Sequence, residues 1–371
     1  MNRALVSGWA LLGSRVPGMI VAPSPAAQGR GRPGPSGAGA AVVCPAAIMR
    51  WESEFLRCPR SGEPLRLEGD RLVGAAASYP LRPVAGEAYA DFRLELDAVE
   101  ELQRETYERE GSRYVQQGLE DKRAFMADFV EARRHGRVKA KEEFLLRALR
   151  ELPLGPTSRV LEVGCNDGRY LNTVAALFGC EGVGIDLSER SIAQAVAARP
   201  AGLRTRFHVA QATRLPFAEA SFDVLLSFDV FEHLGHPGFI ATLRECQRVL
   251  RPGGRLLVYI VSQKDTFTLH ETIRRVSQGK LGVDDGEGHR YENFIHPDFF
   301  RSVATESGLK VRRLTAYHGY WTLLAEECLH NAAPRFVYRL FSFLDAPLVR
   351  EEHGNGFLAL CERPAHPEVR P

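Results

Sequence analysis

The sequence predicts an α/β fold built on a doubly wound, largely parallel sheet, because strands and amphipathic helices alternate through its middle. An apolar run at 160–163 is followed by a glycine-containing turn and an amphipathic helix at 169–178. A second apolar run at 182–187 precedes a helix at 189–199, for which Ser188 is a suitable N-cap. Further along the chain come a strand at 220–227, a helix at 237–250 and a strand at 255–261. This order is typical of parallel strands joined by helices.

The composition is that of an ordinary globular protein. Hydrophobic residues make up 44% and charged residues 25% of the 371-residue chain, which is enough apolar material for a sizeable core. The net charge of +2 gives no electrostatic case for a nucleic-acid partner. Seven cysteines, scattered and odd in number, form no disulfide framework and favour a reducing compartment, so we expect a cytoplasmic protein. No apolar run reaches the length of a membrane span.

Residues 1–48 are rich in Gly, Pro, Ala and Ser and contain no acidic residue. Such a segment cannot bury enough apolar surface to fold, so the sequence predicts disorder. Two interpretations stay open. The segment is either an Arg-containing organelle transit peptide or an upstream extension, with translation starting at Met49.

Residues 49–93 contain short apolar segments separated by Gly and Pro, which predicts a small β-rich element. The element resembles the zinc-ribbon-like activator family of tRNA methyltransferases. A ribbon needs Cys-x-x-Cys twice, whereas this chain has Cys58-x-x-Ser61 and, in the second region, 75–77, only alanines. One thiolate cannot hold a structural zinc, so we expect no metal and a role in packing or docking.

Residues 94–157 are charged and show helical periodicity, which predicts helices packed on a core. Apolar residues at helical spacing include Phe144, Leu145, Ala148, Leu149 and Leu152.

The turn after the first predicted strand carries the motif Glu162-x-Gly164-x-Asn166-x-Gly168. Glycine lets the backbone turn sharply and lets a ligand approach it, and the following helix presents unpaired N–H groups. The spacing is not the G-x-G-x-x-G of dinucleotide sites, and Glu162 suits a cationic ammonium group better than a pyrophosphate. The motif resembles the first motif of class I S-adenosylmethionine-dependent methyltransferases, with Asn166 in place of the middle glycine. Asn tolerates a left-handed backbone better than other residues with side chains.

Asp186 ends the second predicted strand, where a carboxylate can accept hydrogen bonds from both ribose hydroxyls. NAD enzymes use the same device, so Asp186 indicates an adenosine-type ligand without identifying it; the alternative is an acid that caps the next helix. In the segment 208–217, which resembles the third strand of the methyltransferase family, Gln211 replaces the acid that accepts from the adenine amino group. A Gln carbonyl can accept the same bond. The resemblance also implies that Leu187, Ala212 and Asp229 line the cofactor site.

The segments Ser221-Phe222-Asp223 and Glu232-His233-Leu234 resemble type 11 methyltransferases, a family that includes ubiquinone-pathway-like enzymes. His233 follows the fourth strand, outside the carboxyl edge where open α/β sheets bind ligands. Its ordinary pKa of about 6.5 suits a general base. The alternative is that His233 holds the loop beneath the methionine moiety. In this family, helices ahead of the first strand often cover the substrate pocket, which makes Tyr107, Tyr114 and Phe125 candidates for contact with the acceptor.

Two insertions, 262–296 and 316–354, interrupt the resemblance, which spans 158–363, and we expect them to form a lid that determines the acceptor. The first contains His270, His289, Tyr291 and His296 without metal-ligand spacing. With His318 of the second, His289 and His296 are the next candidates for a base. The aromatic segment 335–344 either packs as a lid helix or contacts an aromatic or lipid-like acceptor or a membrane surface.

The resemblance implies a seven-stranded sheet, six strands parallel and the last antiparallel, that binds S-adenosylmethionine. We expect methyl transfer to a small-molecule or lipid-like acceptor, with a hydroxyl as the methylated group. An alternative, suggested by Asn166 and Gln211, is an S-adenosylmethionine-binding sensor or partner subunit without turnover. A third, an NAD(P)-dependent enzyme, is disfavoured by the glycine spacing and by Glu162.

Overall fold

The computed structural model describes most of the chain from residue 50 onward, all of it within one unit, 43–371. The described residues are 50–115, 137–138, 140–261, 295–317, 333–334, 337, 340–341, 343–344 and 356–365. Their strands are β1 (Arg66–Glu68), β2 (Arg71–Val73), β3 (Ser78–Val84), β4 (Glu87–Ala90), β5 (Arg137–Val138), β6 (Arg159–Val163), β7 (Glu181–Asp186), β8 (Thr205–Val209), β9 (Phe222–Phe228), β10 (Leu250–Val261), β11 (Lys310–Tyr317), β12 (Ala333–Pro334) and β13 (Gly356–Glu362). Their helices are α1 (Arg50–Ser53), α2 (Ala98–Val115), α3 (Ala140–Leu149), α4 (Arg169–Phe178), α5 (Glu189–Ala198), α6 (Gly235–Val249) and α7 (Pro297–Glu306), with a 3₁₀ turn at Phe231–His233.

A seven-stranded sheet with the order β11-β13-β10-β9-β6-β7-β8 organises the fold. Strand β13 runs antiparallel to both of its neighbours, and the other six strands are parallel to one another. The chain builds outward from β6 in one direction through β7 and β8, and from β9 in the other direction through β10. The carboxyl ends of β6 and β9 therefore meet at a topological switch point, where ligands bind in sheets of this type. The predicted fold class is confirmed.

The sheet is buried on both faces, because successive side chains of a strand point to opposite sides. Leu161 and Leu225 belong to the apolar cluster on one face, and Val160, Val224 and Leu226 belong to the cluster on the other. A parallel sheet covered by helices on both sides requires such continuously apolar strands.

Most predicted element bounds agree with the structure to within two residues. The predicted helix at 169–178 coincides with α4, and Ser188 caps α5 by accepting from Ser191 N at 3.1 Å. Strand β10 is longer than the predicted 255–261, because pairing with β9 already begins at Leu250. The residues between Leu250 and Arg255, Arg-Pro-Gly-Gly, interrupt the register with β9.

Strands β1 to β4 form an antiparallel sheet of their own. Within it Cys58 is buried, and its Sγ lies 3.2 Å from the Tyr79 hydroxyl. Across the described ranges, no group of three or more Cys, His, Asp or Glu side chains is arranged to hold a metal ion.

The N-terminal element covers the β8 edge of the large sheet. Phe92 N donates to Val209 O at 2.8 Å, and Ala90 N donates to His208 Nδ1 at 3.1 Å. Because Nδ1 accepts, the ring proton of His208 lies on Nε2, which donates to Glu52 Oε1 at 2.6 Å. Both side chains of this pair are almost fully buried. An exposed strand edge invites pairing with other chains, and here the same chain occupies part of that edge.

The apolar face predicted around α3 packs as expected. Leu145, Ala148, Leu149 and Leu152 are buried, and Phe144 packs partly buried against the same cluster. Among the described helices, none combines the length and the apolar character that crossing a bilayer requires.

Candidate functional site

A cavity of about 480 Å³ lies at the switch point of the large sheet. Its walls come from the turn between β6 and α4, the carboxyl ends of β7 and β9, the loop after β8, and helix α2. This volume is within the range of small-molecule sites. The cavity is therefore where the fold rules place a ligand and is large enough for one.

The turn between β6 and α4 has the left-handed backbone that its sequence predicted. Gly164 has a φ of 74°, and a Cβ at that position would lie 2.2 Å from Val230 Cγ2. Gly168, also at 74°, is the N-cap of α4, and a Cβ there would lie 2.6 Å from the Phe207 ring. Asn166 takes a φ of 45°, which confirms that Asn can stand in for the middle glycine.

Asp186 ties the turn to the end of β7. Its Oδ2 accepts from Asn166 N at 2.9 Å and its Oδ1 accepts from Ser188 N at 2.9 Å. Each carboxylate oxygen can accept a second bond, and Asp186 lines the cavity. Burial raises the pKa of Asp186 to about 6, although backbone hydrogen bonds from Ser188, Asn166 and Leu187 lower it. The carboxylate thus supports the start of the next helix and also faces the ligand space.

Glu162 lies behind the turn, outside the cavity lining. Its Oε2 accepts from Leu171 N at 3.0 Å, so it binds the first turn of α4 from the buried side. Burial raises the pKa of Glu162 well above its usual range, and the neighbouring Asp167 and Asp186 carboxylates raise it further. Asp167 is paired with Arg169 at 2.8 Å. Glu162 thus supports the turn from behind, whereas Asp167 and its partner Arg169 both line the cavity.

Gln211 has a different partner from the one that the sequence predicted. Its Oε1 accepts from Leu94 N at 2.8 Å, and its Nε2 donates to Glu100 Oε2 at 2.7 Å. The expected bond to an adenine amino group would need the same carbonyl oxygen. The sequence could not indicate this, because Leu94 and Glu100 belong to the segment before the sheet.

His233 lines the cavity together with Tyr107 of α2. The Tyr107 hydroxyl lies 3.0 Å from His233 Nε2, and the two rings meet edge to face at 5.7 Å between centroids. Both residues line the cavity, and His233 is only 5% exposed. The structure therefore places a candidate base and a phenol in contact inside the ligand space.

The other predicted residues divide into three groups. Leu187, Ala212 and Asp229 line the cavity, with Asp229 at a φ of 56°, a strained backbone typical of functional sites. His296 instead caps α7, where its Nδ1 accepts from Asp298 N at 3.3 Å. The candidates that lie outside the described residues are His270, His289, Tyr291 and His318, the insertion segments 262–294 and 318–332, Phe125 and the side chain of Tyr114.

Several lining residues were not predicted. Glu100 and Gln103 enter from α2, and Tyr170 of α4 packs edge to face on Phe228 at the end of β9. A sequence signal existed for Glu100, because Asp97-x-x-Glu100 has the spacing of a capping box. That pattern indicates a helix start, but it does not indicate that the helix faces a cavity.

Comparison with known proteins identifies the kind of domain that carries this cavity. The family model for a methyltransferase domain matches residues 160–254, which include β6, the turn and β9. A ubiquinone biosynthesis O-methyltransferase of Parvibaculum lavamentivorans is 32% identical over 158 residues, which are 42% of this chain and 60% of the relative. An uncharacterized protein of Haemophilus influenzae is 34% identical over 214 residues, which are 55% of this chain and 84% of that protein.

A solved structure of Haemonchus contortus phosphoethanolamine N-methyltransferase 2 in complex with S-adenosyl-L-methionine superposes with a TM-score of 0.48 and 15% identity. That match covers 79% of this chain and 71% of the other. The match to the Parvibaculum enzyme spans 60% of that relative's length.

Proposed function

The chain belongs to the class I S-adenosylmethionine-dependent methyltransferases, and from this premise we propose that it methylates a hydroxyl group of a small-molecule acceptor, with His233 as the base. The observation that carries the proposal is the contact between Tyr107 and His233 Nε2 in a cavity that also contains Asp186. The ubiquinone biosynthesis O-methyltransferase named above, and a 27-O-demethylrifamycin SV methyltransferase of Amycolatopsis mediterranei that is 31% identical over 163 residues, support a small-molecule acceptor and a hydroxyl as the methylated group.

The acceptor groups and aromatic rings that line the cavity suit the cofactor. Asp186 offers acceptor capacity for ribose hydroxyls, and the Asp167 carboxylate, which also lines the cavity, suits a positively charged amino-acid end. Tyr170 and Phe228 also line the cavity, and the face of an aromatic ring attracts a cation such as a sulfonium. When bound, S-adenosylmethionine supplies a methyl group on a sulfur that is already a good leaving group, so the protein needs only to align an acceptor and manage one proton.

The proton of the acceptor hydroxyl must leave as the new O–C bond forms. Because His233 Nε2 contacts the Tyr107 hydroxyl, we assign a relay. The phenol oxygen takes the acceptor proton while its own proton passes to Nε2, which leaves a neutral phenol and an imidazolium. General-base assistance of this kind contributes about 10²–10⁴-fold to a rate.

A lipid-like acceptor, or contact with a membrane surface, is a further part of the proposal. In the described part of segment 335–344, Leu340, Phe343 and Leu344 are exposed, with Phe343 at 74%. Exposed apolar side chains of this size suit an interfacial contact. We expect flotation with phosphatidylcholine–phosphatidylserine vesicles and its loss in Phe343→Ser. No flotation of the wild-type protein would remove this part of the proposal and leave the methyl transfer intact.

The test of the function uses the purified full-length chain. Equilibrium binding of labelled S-adenosylmethionine, with NAD as competitor, separates a methyltransferase from a dinucleotide enzyme: NAD should not displace the label. Incubation with a metabolite extract, followed by mass spectrometry, should then reveal an acceptor that gains about 14 Da, the mass of a methyl group replacing a hydrogen. Binding without any methylated product would favour the sensor or partner-subunit alternative.

A further inference from the structure

Glu100 begins helix α2 as half of a capping box. Asp97 Oδ1 accepts from Val99 N and Glu100 N at 2.8 Å each, and Glu100 Oε2 accepts in return from Asp97 N at 3.1 Å. This reciprocal arrangement fixes both the helix start and the direction of the Glu100 side chain. Glu100 is only 9% exposed, and it lines the cavity.

Two side chains from the loop after β8 also bind this carboxylate. Gln211 Nε2 donates to Oε2 and Thr213 Oγ1 donates to Oε1, each at 2.7 Å. A carboxylate offers about four acceptor positions. Two donors occupy Oε2 and one occupies Oε1, so Oε1 retains one acceptor position.

We propose that Glu100 supplies the carboxylate that recognises the adenine amino group, because Gln211 stands where the family that this chain resembles has an acid. The inference rests on the proposed function, because it assigns a specificity-determining residue to the cofactor site described above. Gln211 sits at the expected position after β8, but its carbonyl already serves Leu94 N and its amide is directed at Glu100. The carboxylate therefore lies at the start of α2 instead of in the loop after β8, and it is hydrogen-bonded directly to Gln211.

The chemistry of the purine edge makes this assignment specific. A 6-amino group donates and suits a carboxylate, whereas a 6-oxo group is an acceptor and would face Oε1 oxygen to oxygen. Glu100 should therefore select adenosyl over inosyl ligands. If Glu100 only capped α2, replacing it would weaken the binding of both ligands equally and leave the ratio of their affinities unchanged.

The test compares S-adenosylhomocysteine with S-inosylhomocysteine by titration calorimetry on the full chain. We expect the wild-type protein to bind the adenosyl ligand about tenfold more tightly, as one charge-assisted hydrogen bond would give. In Glu100→Gln, an amide can donate to a 6-oxo group, so the ratio should fall to about one. Glu105→Gln is the matched control, because Glu105 lies on the same helix with its side chain 62% exposed.

An unchanged ratio in a folded Glu100→Gln protein would overturn the inference while the methyltransferase proposal stands. If that variant does not fold, Glu100→Asp keeps the charge but withdraws it by one methylene, and the ratio must then fall several-fold or the inference is wrong. If the wild-type protein binds neither ligand, the proposed function fails and this inference fails with it.

Discussion

Replacing Asp186 by Asn removes the charge that we assign to the ribose while keeping the shape of the side chain. Asp186 has acceptor capacity left after binding Asn166 N and Ser188 N. A hydrogen bond to a charged acceptor contributes about 1.5–3 kcal/mol. Because 1.4 kcal/mol is a factor of ten, we expect the affinity for S-adenosylmethionine to fall about 10- to 150-fold at pH 8.

The same substitution should hardly change the stability of the ligand-free protein. Burial raises the pKa of Asp186 from 3.8 to about 6, so above pH 6 the buried charge costs the fold roughly 3 kcal/mol. Asn removes that cost, but its amide NH₂ must face one of the two backbone N–H groups, which loses about 1.5–3 kcal/mol. The two effects offset each other, and the melting temperature at pH 8 should stay close to that of the wild-type protein.

The pH dependence separates this explanation from general damage to the site. Ribose hydroxyls donate to the charged form of Asp186, so the affinity should be full above pH 6 and decline as the pH falls through about 6. Calorimetry between pH 5 and 7 should show this decline in the wild-type protein and in Asp298→Asn, whose side chain is 72% exposed, but not in Asp186→Asn. An Asp186→Asn protein with wild-type affinity at pH 8 would refute the assignment.

Three further predictions concern the base, the N-terminal element and the metal. His233→Ala should lower turnover about 10²–10⁴-fold with little loss of cofactor affinity, since a base acts in the chemical step; intact turnover with weakened binding would make His233 structural. Glu52→Ala leaves the buried His208 Nε2 proton unpaired, so urea titration should show a drop of about 1–3 kcal/mol in the free energy of unfolding, whereas no measurable change would contradict the packing described. Purified protein should contain no stoichiometric zinc. Metal analysis that finds a zinc in the wild-type protein and its loss in Cys58→Ser would overturn the interpretation that the ribbon-like element holds no metal.

The fold could be predicted because its signals are local and repeated. Strand β6, the turn and α4 follow one another within twenty residues, and each carries its own pattern: an apolar run, glycines, and helical periodicity. The positive φ at Asn166 was expected because Asn166 stands at a glycine position of the motif that the turn resembles, and Asn tolerates a left-handed backbone. The antiparallel last strand, in contrast, has no local signal, and it was expected only because the chain resembles a known family.

The sequence predicted only the lining residues that lie at the strand ends, on one side of the cavity. Residues at the ends of β6, β7 and β9 were identified from the family resemblance, together with the rule that parallel strands bring their carboxyl ends together. Glu100 and Gln103 were missed, and Tyr107 was only a general candidate, because the direction in which α2 crosses the sheet depends on contacts far away in sequence. Gln211 shows the consequence. From the sequence alone, Gln211 is an uncharged acceptor for the adenine amino group. In the structure, its amide links the loop after β8 to the carboxylate of Glu100.

The position of α2 follows from how the N-terminal element is attached. The buried pair of Glu52 and His208 and the bond from Phe92 N to Val209 O hold the chain against β8. The next residues then run along the end of that strand, where Leu94 N binds Gln211 and Asp97 starts α2. Anchoring at the sheet edge therefore sets where Glu100 and Tyr107 enter the cavity. The part of the chain that resembles known methyltransferases contributes the turn, Asp186 and His233 to the cavity lining. The segment before it contributes Glu100, which we assign to adenine selection, and Tyr107, which we assign to the proton relay.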